Sequence, residues 1–442
     1  MKGDFFVKRK HFTRIISIFT ALALAACFAG CSQKGNDSSD TSKTDNKTAS
    51  SATADNNGSS SEESKAEESS AAVKDEIDLK EEGPIPEIVD PTPDNMGEMS
   101  EGIFIYNGVA YEMFYGSEGM AKYYAETVSD IKKALGDGIK VYNVVVPTHV
   151  GVTLPDKFSD MCEHQDKYIN TIVTSYTADV TGVDTFDKMM HHRDEYIYFN
   201  TDHHWTVMGA YYAYRAFTSA AGVEPVKLSD LDEGKIEGYY GSLSYFSGRD
   251  DLKEDYVTYY TSKDNIDCTK YDENGENPED YMLIHSYAEG SNAYGVFLGG
   301  DTPILVTKNE KGNGKKIAVL KESYGNAFSP FMAYTYSEVH LIDFRYVNID
   351  LKSYLEKNGI DEIVIINNTM ASATDARCEE LKALVGSSGS SDNTDDNTTD
   401  DNTTDENTTD EENDNNNYNE EENNDYTDEN TDDYGNDENY EE

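Results

Sequence analysis

The ten residues from Ile317 to Asn326 read IAVLKESYGN. A short apolar run, which predicts a buried strand, ends shortly before Ser323, and a helical pattern starts at Gly325. A strand, a sharp turn and a helix form the context in which a nucleophilic serine is exposed beside backbone N–H groups. Taken alone, Ser323 is more simply explained as the cap of that helix, since Ser is a favoured N-cap residue.

A second segment, from Tyr198 to Thr206, reads YFNTDHHWT. It favours the interpretation of Ser323 as a nucleophile over that of a helix cap. Asp202 and His204 have the spacing that lets one carboxylate orient one imidazole. We therefore predict a triad in which Ser323 is the nucleophile, His204 the general base and Asp202 the orienting acid. The alternative is that Asp202 caps the next helix and that the histidines pack in the core.

Apolar runs of two kinds alternate along the middle of the chain. Short runs predict strands at residues 102–106, 139–146, 196–199, 316–320, 339–344 and 360–367. Helical spacing predicts helices at residues 119–135, 167–173, 206–221, 325–334 and 351–358. The alternation predicts an α/β domain with a mostly parallel sheet and helices on both faces, while residues 232–310 suggest an irregular insertion or a small β-subregion.

The predicted site residues follow the ends of predicted strands. In an open parallel sheet a site lies beyond the carboxyl ends of the strands, so we expect the triad to meet there, with His149 at the edge of the site. The candidate oxyanion donors are the backbone N–H groups of Ser323 and Tyr324 and the side chain of Asn326.

The first 31 residues have the pattern of an export signal, with a basic start, an apolar run and small residues before a cysteine. Both Cys27 and Cys31 end a segment that resembles a lipobox. We favour Cys31 as the lipidated residue and leave Cys27 open. The chain is therefore expected to be exported and lipid-anchored to the outer face of the bacterial cytoplasmic membrane, with plain secretion or an uncleaved anchor as alternatives.

Two further segments lack the apolar residues that a core requires. Residues 32–96 are rich in Ser, Asp and Glu and predict a disordered tether, and residues 386–442 repeat Asp, Asn, Thr and Glu and predict a disordered acidic tail. The tail is better explained as a solvated spacer than as a Ca²⁺ site, because it lacks a glycine-punctuated ligand loop. The α/β domain is thus placed at residues 97–385.

The formal net charge of −50 makes binding to nucleic acid improbable, because the chain repels phosphate. Cys162, Cys268 and Cys378 have no metal-ligand spacing and imply no disulfide framework.

Two kinds of metal site fit the histidines poorly. The Asp-His-His phosphoesterases need an upstream Asp-x-Asp that the folded region lacks. The pairs at residues 191–192 and 203–204 lack the i, i+4 spacing of helical zinc ligands. We predict neither metal nor cofactor.

Four motifs together resemble the DHHW family of exported proteins of Gram-positive bacteria. They are Thr201–Thr206 (TDHHWT), Val145–Thr148 (VVPT), Lys321–Asn326 (KESYGN) and Leu341–Tyr346 (LIDFRY). That family is similar to the SGNH-hydrolase-like domain of the alginate O-acetyltransferases, where Asp-x-His precedes the nucleophilic serine. The resemblance implies an SGNH-like fold with a circularly permuted motif order, and it maps the triad to Asp202, His204 and Ser323.

The resemblance and the residues together suggest a monomeric cell-surface enzyme. It would transfer or remove an acyl group, expected to be acetyl, on a cell-envelope glycan. The alternative is a catalytically inactive protein of the cell envelope that keeps the fold as a binding scaffold, because a fold alone does not prove activity.

Overall fold

The computed structural model describes residues 76–386. The expected signal, the lipidated cysteine, most of the tether and the acidic tail lie outside the described residues. The strands, in chain order, are β1 (Glu98–Ser100), β2 (Ile103–Tyr106), β3 (Val109–Glu112), β4 (Lys140–Val146), β5 (Val180–Val183), β6 (Asp232–Tyr239), β7 (Asp255–Thr261), β8 (Asp267–Tyr271), β9 (Glu279–Asp280), β10 (Ile304–Lys308), β11 (Lys316–Lys321), β12 (Glu338–Asp343) and β13 (Glu362–Asn368).

The helices of the same region lie before, between and after these strands. They are α1 (Glu76–Glu81), α2 (Glu118–Leu135), α3 (His149–Val152), α4 (Gln165–Thr174), α5 (Thr185–His191), α6 (Val207–Ala221), α7 (Ser242–Ser247), α8 (Gly325–Thr335), α9 (Leu351–Asn358), α10 (Thr369–Ser372) and α11 (Asp375–Ala383). Within residues 76–386, none of the helices has both the length and the apolar character needed to cross a lipid bilayer.

The main sheet has eight strands in the order β5-β4-β13-β11-β12-β10-β8-β9. The first five strands in this order, β5, β4, β13, β11 and β12, run parallel to one another. The other three, β10, β8 and β9, form antiparallel pairs at one side of the sheet. Successive residues of β11 pack on opposite faces. Ile317 and Val319 belong to the core under α6 and α8, whereas Ala318 and Leu320 belong to the core under α2, α4 and α9. The predicted α/β class, with helices on both faces of a mostly parallel sheet, is confirmed.

Local sequence signals account for several element ends. The turn Asn107–Gly108 joins β2 to β3, and both residues have positive φ, which suits a tight hairpin. Helix α6 ends at Gly222, whose φ of 62° is the left-handed conformation of a C-terminal cap. Ser117 caps α2 by accepting a hydrogen bond from the N–H of Met120.

The predicted strand at residues 196–199 is wrong. This segment is buried, but in the structure it is a loop with a single bridge between Tyr198 and Trp205. The reason is that its backbone groups find other partners: the carbonyl of Ile197 accepts from Thr206 N, and the neighbouring N–H groups of Asn200 and Thr201 donate to the Asp255 side chain. A short apolar run cannot by itself distinguish a strand from another buried segment.

Residues 232–310 are more regular than expected. Strands β6 and β7 form a separate two-stranded antiparallel sheet, while β8, β9 and β10 extend the main sheet. The described residues also include part of the segment assigned to the tether. There α1 contacts the domain through Lys80, which forms ion pairs with Asp194 at 2.8 Å and Glu195 at 2.6 Å.

Candidate active site

Ser323 lies in the turn between β11 and α8, at the carboxyl edge of the sheet. The turn is closed by hydrogen bonds from Gly325 N to Glu322 O at 2.9 Å and from Asn326 N to Ser323 O at 3.1 Å. Gly325 is required here, because an added Cβ would lie 2.5 Å from the Cβ of Lys321. The tight turn therefore leaves Ser323 half-buried, with its hydroxyl available to a neighbouring loop.

The loop before α6 brings the predicted acid and base to this serine. His204 Nε2 lies 2.9 Å from Ser323 Oγ, and His204 Nδ1 lies 2.6 Å from Asp202 Oδ1. Both Asp202 and His204 are buried. The three side chains thus form one hydrogen-bonded chain, in which the proton on Nδ1 faces the carboxylate and Nε2 faces the hydroxyl.

Several groups fix the Asp202 carboxylate. Its Oδ1 also accepts from the His204 backbone N–H at 2.9 Å, and its Oδ2 accepts from Ser242 N at 2.8 Å. Burial raises the pKa of Asp202, but the adjacent imidazoles of His203 and His204 and these hydrogen bonds outweigh burial and hold the pKa well below its usual range. Asp202 is therefore ionised at neutral pH, as an orienting carboxylate must be.

Gly241 lies against this carboxylate. A Cβ at residue 241 would lie 2.3 Å from both the Cβ and the Oδ2 of Asp202, so only glycine leaves room. The Gly241 N–H donates to Thr201 Oγ1 at 3.0 Å. The loop between β6 and α7 is thus a second support for the acid, and the sequence did not point to it.

Two aromatic residues hold His204 in place. The ring of Tyr294 stacks on the imidazole with centroids 4.0 Å apart, and its hydroxyl donates to Ser323 O at 3.1 Å. Trp205, fully buried, donates from Nε1 to Tyr324 O at 3.0 Å. No local signal in the sequence distinguishes Tyr294 from the other tyrosines, so its contact with the base emerges only from the structure.

Glu322, which precedes the serine, was not among the predicted site residues. Its Oε2 lies 3.2 Å from Ser323 Oγ and accepts from Tyr324 N at 3.0 Å, while its Oε1 accepts from Asn368 N and Nδ2 at 3.0 and 3.2 Å. The side chain is 3% exposed. The single proton of the Ser323 hydroxyl can therefore point to either His204 or Glu322.

The candidate oxyanion donors differ in their availability. The N–H of Tyr324 already donates to Glu322, and the Asn326 amide donates from Nδ2 to Asp301 Oδ1 at 3.0 Å. The Ser323 N–H makes no hydrogen bond to another residue between 76 and 386. Asn326 Nδ2 carries two N–H groups, of which Asp301 accepts one. Of the three candidates, only the Tyr324 N–H would have to leave its partner to meet an oxyanion, and the role of all three stays a prediction.

A cluster of charged side chains lies beside the turn. Lys321 Nζ donates to Asp343 Oδ2 at 3.0 Å, and Arg345 contacts Asp343 Oδ2 at 2.6 Å and Asp301 Oδ2 at 2.8 Å. Lys321 and Asp343 are fully buried. These pairs join the ends of β11 and β12 to the loop at Asp301, which in turn binds Asn326 of α8.

Asp255, at the start of β7, holds the loop that carries the triad acid. Its carboxylate accepts from Asn200 N and Nδ2 at 2.8 and 2.7 Å, from Thr201 N and Oγ1 at 2.8 and 2.5 Å, and from Tyr196 Oη at 2.6 Å. Burial raises the pKa of Asp255 despite these donors. No local pattern marks this residue, because its partners are more than fifty positions earlier in the chain.

His149 does not join the triad in the structure. It is buried after β4, its ring stacks on Tyr198 at a centroid distance of 5.0 Å, and it lies 4.5 Å from the ring of Tyr111. Its Nδ1 has no hydrogen-bond partner among the described residues, and burial lowers its pKa to about 3. It contacts the loop that leads to Asp202 rather than the reacting groups, so its place at the edge of a catalytic site stays a prediction.

One group of residues in the described part of the chain has donor atoms close enough for a metal ion, namely Asp202, His203 and His204. The donor set fits a metal poorly, because its atoms are already bound. His204 Nδ1 and Asp202 Oδ1 share a proton at 2.6 Å, and His203 Nδ1 lies 2.6 Å from Ser242 Oγ. His192, of the other histidine pair, has its Nδ1 2.9 Å from Glu195 Oε1 and stacks on Tyr212.

The comparisons with known proteins agree with this architecture. The crystal structure of a DHHW family protein from Eubacterium siraeum is similar with 27% identity and a TM-score of 0.60, over 65% of this chain and 97% of that chain. The structure of Bacillus cereus PatB1 with a sulfonyl adduct is similar in fold, with 18% identity and a TM-score of 0.52, over 63% of this chain and 96% of that chain.

The O-acetyltransferase domain of Pseudomonas putida AlgJ is more distant, with 13% identity and a TM-score of 0.36, over 64% of this chain and 98% of that chain. A likeness at this level carries no argument about chemistry. No curated protein matches the chain in sequence. The family described as DHHW protein matches residues 40–342, which is more than half of the chain. The resemblance drawn from the four motifs is confirmed, and the chain belongs to the DHHW family.

Proposed function

We propose that this protein is an acyl-transfer enzyme in which Ser323 is the nucleophile. The observation that carries the proposal is the continuous chain of hydrogen bonds from Asp202 through His204 to Ser323, with distances of 2.6 and 2.9 Å. An ionised acid, an imidazole whose Nε2 faces the hydroxyl and a serine at a strand–helix turn are the parts that nucleophilic acyl transfer needs.

The steps follow from the positions of these atoms. Ser323 Oγ attacks the acyl carbon of an ester while its proton passes to His204 Nε2, and Asp202 stabilises the resulting imidazolium. The tetrahedral intermediate breaks when His204 returns the proton to the leaving alcohol oxygen, which leaves an acyl-serine. A second hydroxyl, from water or from a sugar, then gives up its proton to His204 and attacks the acyl-serine. The bond between the acyl carbon and Ser323 Oγ breaks as His204 returns that proton to Ser323 Oγ, which restores the free serine. Water makes the protein an esterase, and a sugar makes it a transferase.

We further propose that the acyl group is acetyl and that the substrate is a glycan of the cell envelope. The motifs of the DHHW family in the sequence support an acetyl group, and the expected export supports a glycan of the cell envelope. Export and lipid attachment at Cys31 or Cys27 belong to the same proposal. Incorporation of a labelled fatty acid into the wild type and into Cys31→Ala and Cys27→Ala would identify the lipidated residue, and no incorporation in any of them would contradict the anchor.

The first test is hydrolysis of 4-nitrophenyl acetate by the full chain and by Ser323→Ala. We expect the activity to disappear in Ser323→Ala and an acetyl group to be found on Ser323 of the wild type by mass spectrometry. Ser353→Ala is the matched control, because Ser353 is exposed on α9 and its hydroxyl has no role in the site. Equal rates in all three proteins, with no acetylated serine, would contradict the proposal.

One observation favours the inactive scaffold as a second candidate. One expected oxyanion donor, the Tyr324 N–H, already donates to Glu322, and the Asn326 amide has one of its two N–H groups bound to Asp301. If the Tyr324 N–H cannot leave Glu322, a tetrahedral oxyanion is supported at most by the Ser323 N–H and the second N–H of Asn326 Nδ2. Retention of cell-envelope glycans by Ser323→Ala and the wild type alike, without turnover by either, would favour this alternative.

A further inference from the structure

We infer that Glu322 determines the charge specificity of the proposed site. It favours substrates with a positive charge close to the ester and disfavours anionic ones. The inference rests on the proposed function, because it concerns the surroundings of the same nucleophile. It goes beyond that function in naming the chemical class of the substrate.

The Glu322 carboxylate lies against the proposed nucleophile. Glu322 Oε2 lies 3.2 Å from the atom that would attack the substrate, Ser323 Oγ. The other groups that hold Glu322 are Tyr324 N and Asn368 N and Nδ2, at 3.0 to 3.2 Å. All of these partners are neutral donors, so they stabilise the negative charge without cancelling it.

Two cations, Lys321 and Arg345, form their ion pairs with other acids, and Arg345 also interacts electrostatically with Glu322. Lys321 binds Asp343, and Arg345 is shared between Asp343 and Asp301. Those two cations balance those two carboxylates, so the charges of Glu322 and of the triad acid Asp202 remain as a surplus. The nucleophile thus stands in a region of net negative charge.

Glu112 of β3 adds to this field from another side of the site. It interacts electrostatically with both His203 and Asp202. Burial raises the pKa of Glu112, so this residue loses its negative charge at a higher pH than an ordinary glutamate does. The specificity is therefore assigned to Glu322, which lies against the nucleophile itself.

The charge of Glu322 would act on a bound substrate at short range. Once the acyl carbon approaches Ser323 Oγ, neighbouring groups of the substrate lie within a few ångströms of Glu322. At such distances, in a largely buried site, charges interact strongly and are little screened by salt. An ammonium group beside the ester is attracted, and a carboxylate or phosphate is repelled. The class of glycan that fits is one with free amino groups, such as a de-N-acetylated amino sugar, rather than a uronate or phosphate polymer.

The test uses three acetyl esters and the full chain. They are acetylcholine, which is cationic, 4-nitrophenyl acetate, which is neutral, and 4-acetoxybenzoate, which is anionic. Each kcat/KM is divided by the rate constant for hydroxide-catalysed hydrolysis of the same ester, which removes differences in leaving group. We expect the normalised value for the cationic ester to exceed that for the anionic ester by roughly tenfold or more, and the ratio to fall several-fold in Glu322→Gln.

Two controls distinguish the effect of the Glu322 charge from the effect of the net negative charge of the whole chain. Glu126→Gln removes one exposed carboxylate from α2 and should leave the ratio unchanged. Raising the salt to ~1 M, where the Debye length is about 3 Å, should also preserve most of the ratio, because the long-range field is screened and the contact with Glu322 is not.

The outcomes are distinct. Equal normalised rates for the three esters, or a ratio that Glu322→Gln does not change, would overturn the inference and leave the proposed function intact. No hydrolysis of any ester would overturn both. If Glu322→Gln fails to fold, competitive inhibition of the wild type by choline and by benzoate decides the matter, since equal inhibition constants would count against a cation-selective site.

Discussion

The indole Nε1–H of Trp205 donates a hydrogen bond to the carbonyl oxygen of Tyr324 at 3.0 Å. Trp205 directly follows His204, and Tyr324 directly follows Ser323. This one bond therefore joins the loop that carries the proposed base to the turn that carries the proposed nucleophile. Both residues are buried, so the bond is shielded from competition with water.

Replacing Trp205 by Phe should weaken both the fold and the site. The buried carbonyl of Tyr324 loses its donor, which costs about 1–3 kcal/mol of the free energy of unfolding, and the smaller ring leaves a cavity. We expect a lower free energy of unfolding in urea and a lower kcat. Tyr336→Phe is the matched control, because the buried Tyr336 hydroxyl has no partner among the described residues. If both variants lose the same stability, the bond between Trp205 and Tyr324 does not stabilise the site.

Replacing Gly241 by Ala should impair activity more than stability. The new Cβ would lie 2.3 Å from the Asp202 carboxylate and must displace it. A misplacement of about 1 Å can cost ~10²-fold in rate, so we expect a loss of that order in kcat. Gly138→Ala is the control, since a Cβ at residue 138 meets nothing within 4 Å. Unchanged kinetics in Gly241→Ala would show that the position of Asp202 is not needed.

Replacing Asp255 by Asn should release the loop at residues 196–201. An amide cannot accept from all the groups that now donate to the carboxylate, and its NH₂ would oppose the Thr201 N–H. We expect a loss of about 2–3 kcal/mol in the free energy of unfolding, the scale of hydrogen bonds to a charged group, together with a lower kcat. Asp251→Asn, at an exposed ion pair with Arg249, should change the free energy of unfolding much less than Asp255→Asn does. Similar losses in the two variants would contradict the role of Asp255.

The buried His149 should make stability fall in acid. Burial lowers its pKa from the ordinary 6.5 to about 3 in the folded protein. Between these values the unfolded chain binds a proton at this residue and the folded protein does not. Stability is therefore fully present above pH 6.5 and is lost as the pH falls towards 3, by up to about 1.4 kcal/mol per pH unit. In His149→Phe this contribution is absent, and the difference between the two curves of unfolding free energy against pH shows it. Parallel curves between pH 6.5 and 3 would contradict the prediction.

Much of the secondary structure could be predicted from local patterns. The helix at residues 351–358 and the strands around residues 140, 317 and 363 follow from apolar periodicity, and Gly222 marks the end of α6. The strand predicted at residues 196–199 is wrong because these residues are apolar for burial in a loop and not for pairing in a sheet. Strand β10 was missed, since its few apolar residues lie in a stretch rich in Gly and Tyr.

The candidate site was predicted in part. Asp202 and His204 could be named because the interaction between them is local, two residues apart. Glu322, Tyr294, Gly241 and Asp255 could not be named, because each acts on a residue that is adjacent only through packing or turn geometry. The glutamate is next to the serine in sequence, but only the turn brings its carboxylate to the hydroxyl.

The sequence by itself determined the alternation of strands and helices, the acid–histidine pair and the family, because these depend on periodicity and on spacing over a few residues. Only the tertiary structure decided that His204 and Ser323, 119 residues apart, lie 2.9 Å from each other. It also decided which donors and charges surround them. The physical reason is that the parallel order of β4, β13, β11 and β12 brings distant segments to one edge of the sheet, and hydrogen bonds from Trp205 and to Asp255 then hold the loop across it.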